Sequence, residues 1–166
     1  MAKITFKGNP VATSGELPKV GSAAPDFALT KIDLSTLAKK DLLGKNVVLN
    51  IFPSIDTGVC ATSVRTFNQK AAAAPNTVVV CVAKDLPFAM KRFCGAEGID
   101  KVTPASAFRG PDFGKDYGVT MQDGPLAGLF ARAVVVFDKA GKVVHAELVP
   151  EIAQEPNYDQ ALATIR

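Results

Sequence analysis

The run Asn46-Val47-Val48-Leu49-Asn50-Ile51-Phe52 sets the first constraint on the fold. A strand with one wet face alternates polar and apolar residues. A near-continuous apolar run that Pro53 stops marks a strand covered on both faces, so structure must lie on either side of it. A second run of the same kind spans residues 77–83. Between them, Val64 and Phe67 lie three apart, with polar Arg65, Asn68, Gln69 and Lys70 elsewhere. That spacing predicts a helix over residues 58–73. Two buried strands bridged by a helix form a parallel β-α-β unit, the core of an α/β architecture.

The rest of the chain fits around that unit. Residues 3–6 and 10–13 read as a leading hairpin about Lys7-Gly8-Asn9-Pro10. A short strand is expected at 27–30, and a brief helical or turn segment at 37–43, stopped by Gly44. Residues 86–93 suit a helix, with Pro87 early and Gly95 just past its end. Another strand falls at 102–107, one or two helical turns at 111–117 and a loop at 124–128. Strands at 130–137 and 143–148 flank Asp138-Lys139-Ala140-Gly141-Lys142, and a helix over 158–165 closes the chain. The run Ala71–Ala74 reads as a helix end, and no internal repeat is visible. At 166 residues, 48% of them hydrophobic, the whole chain is expected to form one domain, 1–166.

Composition removes several function classes. The net charge is only +3, and the basic residues are spread out, unlike the basic stripe of a nucleic-acid binder. No stretch has the length of a membrane span, and the first residues lack the apolar core of a secretory signal, so the expected compartment is the cytoplasm. The three cysteines, Cys60, Cys81 and Cys94, include no C-x₂-C pair, and one histidine does not complete a usual zinc set. No glycine-rich phosphate loop is present, so neither metal nor organic cofactor is implied.

The chemistry concentrates where the first buried strand runs through Pro53-Ser54-Ile55-Asp56-Thr57-Gly58-Val59 into a helix whose first turn holds Cys60. Unpaired N–H groups at a helix start favour a thiolate, the nucleophilic form of cysteine. Thr57 suits a helix cap and brings a hydroxyl toward the sulfur, while Pro53 walls the pocket without adding a donor. Position alone leaves the alternative even: free cysteines are commonly small buried hydrophobes. Arg132 lies inside the apolar run Leu129–Phe137, where alternation gives it the face of Phe130, Val134 and Val136. A guanidinium there is costly unless it meets an anion or reaches water. Cys94, near a helix end beside Met90, suits a core position as well as a reactive one. Cys81, inside a buried strand, reads as an inert packed thiol, and His145 as a surface residue.

Pro53-x-x-x-Thr57-x-x-Cys60 resembles the active-site motif of the peroxiredoxins, and Asn50–Cys60 resembles their bacterial thiol peroxidase subfamily. The resemblance extends to Gly21-x-x-Ala24-Pro25-Asp26-Phe27 and Leu126-Ala127-Gly128-Leu129-x-Ala131-Arg132, so it covers essentially the whole chain. It implies a thioredoxin-like α/β sandwich with a central mixed sheet, flanking helices and an N-terminal β-hairpin. It further implies that Cys60 attacks hydrogen peroxide or an alkyl or lipid hydroperoxide and becomes a sulfenic acid. By the same resemblance Thr57, Arg132 and Pro53 shape that site, and Cys94 resolves the sulfenic acid into a Cys60–Cys94 disulfide. Thioredoxin is then the expected reductant, and a homodimer the expected assembly.

Three other readings compete. Asp56-Thr57-Gly58 is the tripeptide of aspartic proteases, but those need two copies sharing a proton, and there is one. A cysteine hydrolase would need the single histidine, His145, beside Cys60. A binding module of the same fold would not depend on Cys60. Thr57 stands where a C-x-x-C motif has its first cysteine, which argues against dithiol exchange there.

Overall fold

A computed structural model describes residues 1–71 and 73–165. Its centre is a seven-stranded mixed sheet. The strands are β3 (Ala28–Lys31), β4 (Thr36–Ala38), β5 (Asn46–Ile51), β6 (Thr77–Ala83), β7 (Thr103–Ser106), β8 (Ala133–Phe137) and β9 (Val143–Leu148). Their order is β4-β3-β7-β6-β5-β8-β9. β5, β6 and β7 run parallel, and β8 returns antiparallel against β5. A separate antiparallel hairpin, β1 (Lys3–Phe6) and β2 (Asn9–Ala12), turns at Lys7 and Gly8, both with positive φ. This is the thioredoxin-like architecture expected from the sequence, and the hairpin precedes it.

β5 explains why its sequence is apolar throughout. All six residues are buried, and alternate side chains enter different layers. Val47, Leu49 and Ile51 join Phe27, Phe113 and Tyr117 on one face. Val48 and Phe52 join Cys60, Val64, Phe67 and Cys81 on the other, under helix α1 (Gly58–Ala71). Helices α2 (Pro87–Glu97) and α4 (Tyr158–Ala163) add Met90 and Ala161 to that second face, while α3 (Asp112–Asp116) supplies Phe113 to the first. A smaller cluster of Ile4, Val11, Met121, Ala131 and Ile152 packs the hairpin against the segment before β8.

Several elements differ from expectation. The segment at 37–43 begins as β4, where Leu37 pairs with Leu29, and then forms a 3-10 turn over Lys39–Leu42. Three residues are too few to show a strand period. The first helix was expected through Ala73; α1 extends to Ala71, Ala72 lies outside the described residues, and the Ala73 N–H turns back to the Lys70 carbonyl at 3.1 Å. α2 does not stop before Gly95. It continues through Gly95 to Glu97 and is capped by Gly98 at φ 65°, the left-handed conformation that selects glycine. β8 starts only at Ala133, because residues 130–132 leave the sheet. Phe130 bridges Thr120 and packs on Phe113, so it does not share a face with Val134 and Val136.

His145 is a further correction. It lies in β9 opposite Val136 and is only 9% exposed, with Nε2 buried and without a partner among the described residues. The sequence reads as placing it at the surface, but the packed layer covers it. Burial lowers its pKa below the ordinary 6.5, against an opposing pull from Glu147. The unfolded chain therefore binds this proton more readily than the fold does. Stability should rise with pH through the region up to about 6.5 and fall on acidification below it. Urea denaturation between pH 5 and 7 is expected to show a shallower dependence in His145→Gln than in the parent chain.

Candidate active site

The site begins where β5 ends. The chain leaves the sheet after Ile51, and Phe52 still donates to the Val82 carbonyl at 3.1 Å. The loop from Pro53 to Thr57 then turns back into α1. Asp85, just beyond β6, pins that loop: its carboxylate accepts from Ser54 Oγ and from the Ile55 N–H, each at 2.7 Å. Thr57 Oγ1 donates to the Ser54 carbonyl at 3.0 Å, and the Thr57 carbonyl accepts the Ala61 N–H at 2.9 Å, which starts the helix. The Thr57 hydroxyl thus spends its proton on the loop and keeps its lone pairs. No hydrogen bond from it to the Cys60 sulfur is found among the described residues.

Cys60 is fully buried in the first turn of α1. Its carbonyl accepts Ser63 Oγ at 2.8 Å, and Ser63 Oγ in turn accepts Asn50 Nδ2 at 3.2 Å. Sequence reasoning gave neither residue a role. The available signal was a polar residue, Asn50, inside the otherwise apolar β5. Asn50 Oδ1 is buried and has no partner among the described residues.

Arg132 is 2% exposed and reaches the sulfur: Nη2 lies 3.3 Å from Cys60 Sγ. Its Nε donates to the Ile152 carbonyl at 2.8 Å, and Nη1 has no partner among the described residues. Pro53, Thr57 and Arg132 share the lining of a pocket of about 230 Å³ with the apolar residues Phe6, Val59, Leu126 and Ile152. Four of the five residues singled out from the sequence, Pro53, Thr57, Cys60 and Arg132, are therefore brought together. A larger groove of about 430 Å³, lined by Asp26, Arg109, Asp112 and Asp116, lies elsewhere and holds no cysteine.

Cys94 is not part of this pocket. It is buried in α2, and its carbonyl anchors the helix end by accepting the N–H groups of Gly98 and Ile99. Burial pushes its thiol pKa up. Cys81 is 1% exposed in β6, and burial pushes its pKa up to about 12, which fits an inert thiol. All three cysteines are free. At the surface Arg65 of α1 holds Glu97 of α2 by two bonds of 3.1 and 2.9 Å, and Arg92 of α2 holds Asp56 of the loop before α1 at 2.9 Å. His145 makes no hydrogen bond to Cys60 among the described residues, so the hydrolase pairing has no geometric support.

Comparison with known proteins identifies the family. The redoxin family model matches residues 19–162. The thiol peroxidase of Mycobacterium tuberculosis (strain ATCC 25618 / H37Rv) is 63% identical over 165 residues, 99% of either chain. That of Corynebacterium glutamicum is 56% identical over the same share. The crystal structure of a peroxiredoxin-like protein from Aquifex aeolicus superposes with a TM-score of 0.92 at 42% identity, covering 98% of this chain and 95% of that one. The chain belongs to the redoxin family, among its peroxiredoxin-type thiol peroxidases, and is an oxidoreductase.

Asp85 is the site residue that the sequence hid most completely. Its removal strands the Ile55 N–H, a loss of about 1–3 kcal/mol for an unpaired buried donor. Asp85→Ala is expected to lower the urea midpoint and to slow peroxide consumption, whereas Asp85→Asn, which keeps one acceptor, is expected to retain more of both.

Proposed function

We propose that the chain reduces hydrogen peroxide and organic hydroperoxides through Cys60, with Cys94 as the resolving thiol and thioredoxin as the reductant. One observation carries this reading: a buried arginine that lines the pocket of Pro53 and Thr57, with Nη2 on the Cys60 sulfur and Nη1 without a partner among the described residues. A guanidinium at 3.3 Å is the counter-charge a thiolate needs away from water. Its second N–H group is available to a peroxide oxygen, and Thr57 offers lone pairs nearby to the hydroperoxide proton. Pro53 and the apolar rim limit water and suit an alkyl substituent.

The Cys60 thiolate attacks the terminal oxygen of ROOH, the O–O bond breaks, and the leaving alkoxide takes a proton to give ROH. Cys60 becomes a sulfenic acid. The Cys94 sulfur then displaces its hydroxyl as water and forms the Cys60–Cys94 disulfide. Two thiols of the reductant restore both cysteines and are themselves oxidised to a disulfide.

A disulfide requires Cα atoms within about 7 Å. Cys60 lies in the first turn of α1 and Cys94 three residues from the end of α2, positions where fraying costs least. The surface pairs Arg65–Glu97 and Arg92–Asp56 are exposed and individually weak, so they oppose such opening only slightly. The sequence resemblance supports thioredoxin and a homodimer.

Treatment with one equivalent of peroxide followed by mass spectrometry tests the scheme. A Cys60–Cys94 link is expected; oxidation of another cysteine while Cys60 stays reduced would overturn it. Cys60→Ser should abolish turnover. Cys94→Ser should allow about one turnover and leave Cys60 open to sulfinic acid formation.

A further inference from the structure

Glu151 is half-buried between the N-terminal hairpin and the segment before α4, and its carboxylate gathers four donors. Thr5 Oγ1 donates to Oε2, the Lys7 N–H to Oε1 at 2.8 Å, the Gly8 N–H to Oε2 at 3.3 Å and the Ala153 N–H to Oε1 at 3.4 Å. Lys7 and Gly8 form the hairpin turn, and their positive φ angles aim successive N–H groups at one anion. The backbones are stitched alongside: the Thr5 N–H donates to the Pro150 carbonyl at 2.8 Å, and the Ile152 N–H to the Thr5 carbonyl at 3.0 Å. The next group along is the Ile152 carbonyl, which receives Arg132 Nε at 2.8 Å. The Ile152 side chain is buried in the hairpin cluster, so this carbonyl has little freedom to follow a moving arginine.

We propose that Glu151 is a positioning residue for the Arg132–Cys60 pair, acting through the Ile152 carbonyl. The proposal rests on the reading that Cys60 is the nucleophile and Arg132 its counter-ion. Arg132 has one fixed backbone anchor, and that anchor is set by the carboxylate that locks residues 150–153 onto the hairpin. Phe6 and Ile152, from the two segments so joined, also form part of the pocket wall. The side-chain bond from Thr5, with those from the turn, holds the Glu151 carboxyl below its ordinary pKa, consistent with a clasp that stays charged. An amide is a poor substitute, because its nitrogen would set a donor against the donors now facing one oxygen.

The test is single-turnover oxidation of Cys60 by hydrogen peroxide, followed by mass spectrometry across pH, in the full chain. Glu151→Gln is expected to slow that step about fivefold to tenfold, the scale of a small misplacement of a catalytic group. It should also move the pH profile to the alkaline side. A role confined to folding would lower the amount of active protein and leave the profile in place, and that result would overturn the proposal. An unchanged rate and profile would do the same. Thr5→Val removes one donor only and guards against a Glu151→Gln chain that fails to fold; a smaller shift in the same direction is expected, and no shift would count against the proposal. If Cys60 is not oxidised in the parent chain, the functional reading fails. If it is oxidised equally fast in both chains, only the role of Glu151 fails.

Discussion

The site depends on one buried contact, the Arg132 guanidinium against the Cys60 sulfur. A guanidinium removed from water costs several kcal/mol unless an anion and hydrogen-bond acceptors meet it. Here the Ile152 carbonyl meets one nitrogen, the sulfur meets another, and the third has no partner among the described residues. The arrangement suits a reaction in which negative charge moves from sulfur to a departing oxygen. In the proposed cycle the arginine is complementary to both ends of that path, and a peroxide oxygen would complete its set of partners.

That contact is assembled from segments far apart in the chain. β5 and Asp85 fix the loop and the start of α1, so the backbone of Cys60 has little choice of direction. The sheet ends at Ala133, and the chain before it bends out of the ladder, which carries Arg132 toward α1. The hairpin and residues 150–153 then supply the fixed carbonyl. Cys94 lies outside this assembly, anchored at the end of α2. In the proposed cycle the two thiols meet only after local opening, so rigidity at Cys60 and looseness at the helix ends serve different steps.

Much of this was legible in the chain itself. The buried strands, their connecting helix and the late hairpin follow from apolar runs and turn residues. An arginine among Phe130, Val134 and Val136 announced an unmet charge, although the assumed strand alternation was wrong at Phe130, because residues 130–132 depart from the sheet. β4 was missed because three residues carry no period, and α2 was ended early because Gly95 resembled a cap that Gly98 provides. Asp85, Ser63 and Glu151 were invisible for a common reason. Each acts by hydrogen bonds to backbone or side chains distant in sequence, and local pattern holds no record of such partners. His145 misled for the opposite reason, since its polarity suggested water where packing covers it.

In the proposed cycle Arg132 serves the sulfur rather than the fold. Arg132→Met fills similar space without charge, and the rate of its Cys60 oxidation by hydrogen peroxide separates the two roles. The variant is expected to remain folded, with a thermal midpoint at or above that of the parent. Its rate is expected to be at least about a hundredfold lower, as for the loss of a main electrostatic contributor. An undiminished rate in a folded Arg132→Met chain would mean that the sulfur does not depend on the guanidinium.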